Sequence, residues 1–134
     1  SLGRKGSNLL SNDEVLVSRA LRRQGRRSYY DPRICVSHHV PSQRLTRAWF
    51  YRRCFWQAIS AEVLEQTENA GSRRRGQWLL GGLSAALRLL ASPRSLLSLM
   101  TAPRLPDQMS RKCSAWYSLG TIWARFGLGL GHEW

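Results

Sequence analysis

The stretch QRLTRAWFYRRCFWQAISAEVLEQ, residues 43–66, has the pattern of a long amphipathic helix. Ser42 follows Pro41 and is placed to cap the start of this helix. Apolar residues at helical spacing form one stripe, which comprises Leu45, Trp49, Trp56, Ile59 and Val63. We expect this stripe to pack against a core while the arginines lie on other faces.

The same stretch interleaves arginine with aromatic residues, a pattern that can bind single-stranded nucleic acid by stacking and phosphate contact. The alternative is an amphipathic helix with a buried tryptophan face and solvated arginines. We favour this alternative because no helix-turn-helix, zinc-finger or RNP signature accompanies the pattern. Nucleic acid is therefore the less favoured partner.

Charge and cysteine content indicate the class of binding partner and the redox environment of the protein. The chain has 21 Lys and Arg against 8 Asp and Glu, a formal charge of +13, which favours an anionic partner such as nucleic acid, a membrane surface or a phosphorylated small molecule. Its cysteines are Cys35, Cys54 and Cys113, whose spacing supports neither a disulfide framework nor a zinc module. We infer a reducing, cytoplasmic setting.

A first helix is predicted over residues 12–24. Ser11 and Glu14 match the capping-box pattern S-x-x-E, and Gly25 stands where a left-handed C-terminal cap is expected. Asp13 and Glu14 therefore have two interpretations. They belong to a helix cap, or one of them is a general base held at a helix start beside a glycine-rich loop.

The period changes to two in the next segment, YYDPRICVSHHVP. Ile34, Val36 and His38 alternate with polar residues, which predicts a short strand near residues 28–38. His38 and His39 would point to opposite faces of that strand, so they cannot easily share one metal. His38 is then either a packed residue or one ligand of a divalent ion.

Composition shifts after residue 66. Residues 67–76 are polar and glycine-containing and are predicted to be a linker, and residues 77–134 form a basic helical tail. Within the tail, four leucines share one helical face, Ser92-Pro93 starts a short helix, and a last helix covers about 110–126. The four leucines are Leu80, Leu83, Leu87 and Leu90. Membrane-surface binding and helix packing are both open for this face.

Taken in order, several features of residues 1–66 resemble the C-terminal part of a bacterial family 2 glycosyltransferase with the GT-A fold. They are a glycine-containing loop, an acidic pair opening a helix that ends in R-x-x-G, then YYDP, a strand I-x-V-x-H-H-V-P, and R-L-T-R-x-W-F-x-R-R-x-x-W-Q. The resemblance implies an α/β fold class, mostly helical in this portion apart from the short strand.

The resemblance also implies an inverting sugar transfer from a nucleotide-diphosphate sugar to a glycan or lipid-linked acceptor, in surface polysaccharide or glycolipid synthesis. Glu14 would be the catalytic base and Asp13 its neighbour, in reversed order relative to the family's Glu-Asp pair. His38 would hold a divalent metal, Mn²⁺ or Mg²⁺. The loop residues Gly3, Arg4, Lys5 and Gly6 would contact substrate.

The family's N-terminal nucleotide-binding half does not occur in these 134 residues. We therefore expect the chain to be part of a longer protein and to show no sugar transfer alone. The expected location is the cytoplasm, with peripheral contact at the inner face of the membrane. The alternative function is a basic binding module for nucleic acid or an anionic membrane.

Overall fold

The computed structural model describes residue 9, residues 11–68 and residues 75–126. In these ranges it has five α-helices and one 3₁₀ turn, Ser42–Leu45. The helices are α1 (Asp13–Arg23), α2 (Arg47–Glu68), α3 (Arg75–Leu90), α4 (Pro93–Met100) and α5 (Pro106–Arg125). The predicted C-terminal cap of α1 is confirmed, because Gly25 takes the left-handed backbone with φ 72°.

The prediction of an α/β fold is wrong, because the described residues contain no strand. The segment predicted as a strand, residues 28–38, is irregular, and Ile34 and Val36 are 75% and 83% exposed. A strand needs a neighbour to pair its backbone N–H and C=O groups, and the described part of the chain offers none. With no parallel sheet in these ranges, the expected GT-A fold is overturned as well.

Helices α2 and α5 form the centre of the fold. Ile59 of α2 and Ala124 of α5 are fully buried, and Trp56 and Val63 pack against them. Phe55 makes edge contacts with two tryptophans of α5, at centroid distances of 6.3 Å and 6.2 Å. The predicted stripe is thus confirmed at Ile59 but wrong at Leu45, which lies in the 3₁₀ turn and is 67% exposed.

Small residues bring the two central helices close together. A Cβ atom added at Gly120 would lie 2.3 Å from the Phe55 carbonyl oxygen and 2.9 Å from the Ala58 Cβ. Both distances are far below van der Waals contact, so only glycine fits at this point of α5. Ala58 and Ala124 are completely buried on either side of the contact.

A partly buried ion pair also joins the central helices. Arg125 Nε donates to Glu62 Oε1 at 2.9 Å, and the Arg125 guanidinium lies 3.7 Å from a carboxylate oxygen of Glu65. Only 14% of the Arg125 side chain and 9% of the Glu62 side chain are exposed. Such a pair costs stability when one member is removed, because the other is left desolvated.

Helices α3 and α4 pack on α5. The start that Ser92-Pro93 predicted for α4 is confirmed, with Pro93 as its first residue. Lys112 of α5 closes the other end of α4, since its Nζ donates to the carbonyls of Leu99 and Thr101 at 3.0 Å and 2.8 Å. Residues 69–74 of the predicted linker lie outside the described ranges. The two central helices lie on opposite sides of this linker in the sequence, α2 before it and α5 after it.

Candidate functional site

The predicted catalytic pair lies at the exposed first turn of α1. The capping box is wrong: the N-cap residue is Asn12, in the left-handed region at φ 76°, and no side chain caps the helix. The Ser11 hydroxyl instead donates to Gln57 Oε1 at 3.2 Å and accepts from Arg53 at 3.1 Å. The Ser11 side chain, which the local pattern assigned to the cap of α1, therefore hydrogen-bonds to α2.

Asp13 and Glu14 interact with each other. A hydrogen bond from the Glu14 side chain, followed by backbone N–H groups of the first turn, lowers the pKa of Asp13. A lowered pKa weakens a carboxylate as a base. Within the described ranges, no hydrogen bond or ion pair joins either carboxylate to the side chain of any other residue. Catalysis by Glu14 stays a prediction.

His38 lies in the irregular segment between α1 and α2 and is exposed. The described part of the chain holds no group of three or more His, Cys, Asp or Glu side chains that could bind a metal ion. Binding of Mn²⁺ or Mg²⁺ by His38 stays a prediction. The predicted substrate loop, Gly3, Arg4, Lys5 and Gly6, lies outside the described residues.

Several arginines form hydrogen bonds or ion pairs that connect different parts of the fold. Arg53 donates to the carbonyl of Leu9 at 3.0 Å, Arg47 donates to the carbonyl of Pro103 at 2.9 Å, and Arg125 binds the glutamates of α2. These contacts attach the N-terminal segment, the α4–α5 loop and α5 itself to α2. Such arginines have partners and are not available to an anionic ligand.

Three other arginines line one groove at the junction of α4 and α5. This arginine groove has a volume of about 540 Å³, and its lining contains no acidic residue. Arg94 comes from α4, Arg104 from the loop after it, and Arg111 from α5. Their guanidiniums make no ion pair with a described residue. Leu97 and Gln108 line the same groove.

The second prominent surface is the leucine face of α3, formed by Leu80, Leu83, Leu87 and Leu90. These side chains are 64%, 49%, 64% and 65% exposed. The helix packs instead through Gly82, Ala85 and Leu89, all of which are buried. Helix packing thus uses the other side of α3. Four exposed leucines on one helix face are typical of an interaction surface.

Sequence reasoning identified the leucines but missed the arginine groove. A signal was present: no aspartate or glutamate occurs between Glu68 and Asp107, where every charged residue is an arginine. Charge in this stretch therefore has a single sign. The convergence of Arg94, Arg104 and Arg111 depends on how α4 folds back on α5, which local spacing does not indicate.

None of the described helices is both long enough and apolar enough to cross a bilayer. The chain matches no protein-family model, no curated protein and no solved structure.

Proposed function

We propose that the protein is a binding module for anionic membrane surfaces and that the leucine face of α3 is its insertion surface. The observation that carries the proposal is the exposure of about half or more of each of four leucines on one helix of a chain with a charge of +13. Leucines that enter the headgroup region leave water, and the net positive charge of the chain attracts acidic lipids.

Charge favours a membrane over the other occupants of such a face. A second copy of the chain would bring two strongly positive molecules together, and the long-range repulsion between them opposes association. Nucleic acid supplies negative charge but offers phosphates and base edges to the leucines. An anionic bilayer offers both an apolar interior and negative charge.

Vesicle co-sedimentation tests the proposal. Neutral phosphatidylcholine vesicles are compared with vesicles that also contain phosphatidylglycerol, at low and high salt. We expect binding to the anionic vesicles alone, weakened by salt. The double variant Leu83→Glu, Leu87→Glu should bind at least about tenfold more weakly, because burying each leucine contributes about 1.5–3 kcal/mol.

The matched control is Val17→Glu, Leu21→Glu on α1. These residues have the same i, i+4 spacing, are 58% and 46% exposed, and receive the same charge change. The control should retain most of the vesicle binding. Equal losses in both variants would show a charge effect and contradict insertion through α3. Salt-sensitive binding to RNA in place of vesicles, or a dimer that only the α3 variant dissociates, would also overturn the proposal.

A further inference from the structure

We propose that the arginine groove between α4 and α5 is a binding site for a phosphomonoester group. Arg94, Arg104 and Arg111 would hold its oxygens. The inference rests on the membrane function proposed above, since it names the kind of headgroup that the bound protein would select. It concerns a different surface from the leucine face, so the two can be tested separately.

Electrostatics give the first argument. Three arginines line one groove of about 540 Å³, and no acidic residue lines it with them. Like charges held near one another repel, and the described residues supply no counter-charge within the lining. An anion in the groove removes this repulsion, and a dianion does so better than a monoanion. The charge pattern therefore favours a phosphate monoester over a diester.

Donor geometry gives the second argument. A guanidinium presents a planar fork of N–H groups that matches two oxygens of a phosphate. The three arginines come from α4, the loop and α5, so they reach the groove from different elements. A tetrahedral phosphate with three terminal oxygens can accept from donors that approach from several sides. A flat carboxylate has fewer directions to offer.

Gln108 gives the third argument. Its side-chain Oε1 accepts from the backbone N–H groups of Arg104 and Leu105, at 2.7 Å and 3.4 Å. The amide oxygen is thus committed to the loop, which leaves the amide nitrogen as a further donor in the groove lining. The same contacts hold the loop that carries Arg104 against the first turn of α5. The groove therefore combines charged donors with a neutral donor fixed by the backbone.

The size and the apolar part of the lining agree with a headgroup. A volume of about 540 Å³ falls within the range of small-molecule sites, about 300–1,000 Å³. Leu97 lines the groove and is 62% exposed. A phosphate bound among the arginines would thus have an apolar neighbour, as a lipid headgroup requires and a free phosphate does not.

The experiment compares phosphatidic acid, a phosphomonoester lipid, with phosphatidylglycerol, a phosphodiester, in vesicles matched in zeta potential. We expect the wild-type chain to bind the phosphatidic acid vesicles about tenfold more tightly. The triple variant Arg94→Gln, Arg104→Gln, Arg111→Gln should lose this preference. A matched control, Arg22→Gln, Arg26→Gln, Arg27→Gln, removes three exposed arginines near the end of α1 and should keep it.

Titration with inorganic phosphate, followed by calorimetry, separates this inference from the proposed function. Saturable phosphate binding that the groove variant loses, without any vesicle binding, would support the groove with a soluble ligand and overturn the membrane function. Vesicle binding with no preference for phosphatidic acid would overturn the groove and leave the membrane function standing. Loss of the preference in the control variant as well would reduce it to net charge and overturn the groove. Binding to neither probe would overturn both.

Discussion

The two faces of α3 differ in a way that reverses the usual arrangement of an amphipathic helix. The face that packs on the rest of the fold carries Gly82, Ala85 and Leu89, whereas the leucine face is turned outward. Bulky apolar residues normally face the core. In this chain the small residues are placed at the helix contacts, as Gly120 and Ala58 are between α2 and α5. Apolar periodicity therefore identifies a helix without identifying its buried face.

The largest expected effect distinguishes two leucines of α3 that are two residues apart. Leu89 is 7% exposed and Leu87 is 64% exposed. Leu89→Ala leaves a cavity and should lower the free energy of unfolding by about 2–5 kcal/mol. Leu87→Ala removes an exposed side chain and should change it by less than about 0.5 kcal/mol. Urea denaturation measures both values, and an equal cost would mean that the leucine face is packed within the folded chain.

The next effect concerns the close contact between α2 and α5 at Gly120. Gly120→Ala should improve the intrinsic helix propensity of α5, yet its Cβ would meet the Phe55 carbonyl. We expect the free energy of unfolding to fall by about 1–3 kcal/mol, because the helices must move apart. Gly82→Ala is the control: its Cβ would lie 3.1 Å from Phe126 Cε2 and 3.2 Å from Arg125 Cβ, which are longer distances than at Gly120 and involve no backbone atom. Thermal denaturation in which both variants lose equal stability would contradict the close approach of α2 and α5.

Cys54 of α2 is partly buried, and its reactivity is a chemical probe of the packing of α2. Burial, together with a hydrogen bond in which the Cys54 thiol donates to Cys113, raises the pKa of Cys54 from 9.0 to about 11. At pH 8 the thiolate fraction is then about a hundredfold lower than in the unfolded chain, and the greater nucleophilicity of a more basic thiolate recovers about tenfold. Alkylation of Cys54 should therefore be about tenfold slower in the folded protein, as measured by mass spectrometry of peptides.

The raised pKa of Cys54 also makes the free energy of unfolding depend on pH. The folded state holds the Cys54 proton more tightly than the unfolded state. The contribution of this thiol to the free energy of unfolding is therefore complete below about pH 9 and declines as the pH rises towards 11.

In the alkylation experiment, Cys35 is exposed and serves as an internal control for the reagent. Equal alkylation rates at Cys54 in folded and urea-unfolded protein would contradict its partial burial.

The helices were largely predictable because their signals are local. The first helix was expected at residues 12–24 and occurs at Asp13–Arg23, and the last was expected from about 110 and begins at Pro106. Capping glycines, N-terminal prolines and apolar periodicity act within a few residues of the chain. The missing strand shows the opposite case, since the alternation of Ile34 and Val36 requires a partner strand that periodicity cannot supply.

The candidate surfaces were predictable only in part, for the same reason. The leucine face appears in the sequence as a periodic pattern, but its exposure depends on which side of α3 packs on α5. The capping box around Ser11 matched its local pattern, and hydrogen bonds to Arg53 and Gln57 of α2 displaced it. The arginine groove needs three residues that are brought together only by the packing of α4 on α5.

The smallest expected effect concerns the outward ion pairs that attach α1 to the end of α2. Arg19 and Arg23 both pair with Glu68, whose side chain is 10% exposed, whereas the arginine side chains are 50% and 64% exposed. α1 itself has no buried residue. Exposed pairs contribute less than about 1 kcal/mol, and salt screens them. Arg23→Gln should therefore loosen α1 slightly without affecting the central helices.

Amide hydrogen exchange measures this local opening directly. Exchange in α1 should accelerate by up to about fivefold in Arg23→Gln at low salt, and the difference should vanish at 1 M salt. Arg22→Gln is the matched control, because it removes the same charge from the same last turn, where no ion pair with a described residue involves Arg22. Equal acceleration in the two variants would assign the effect to the helix dipole. Only an effect confined to Arg23 would show that the pair with Glu68 helps to attach α1 to α2, since α1 has no fully buried side chain.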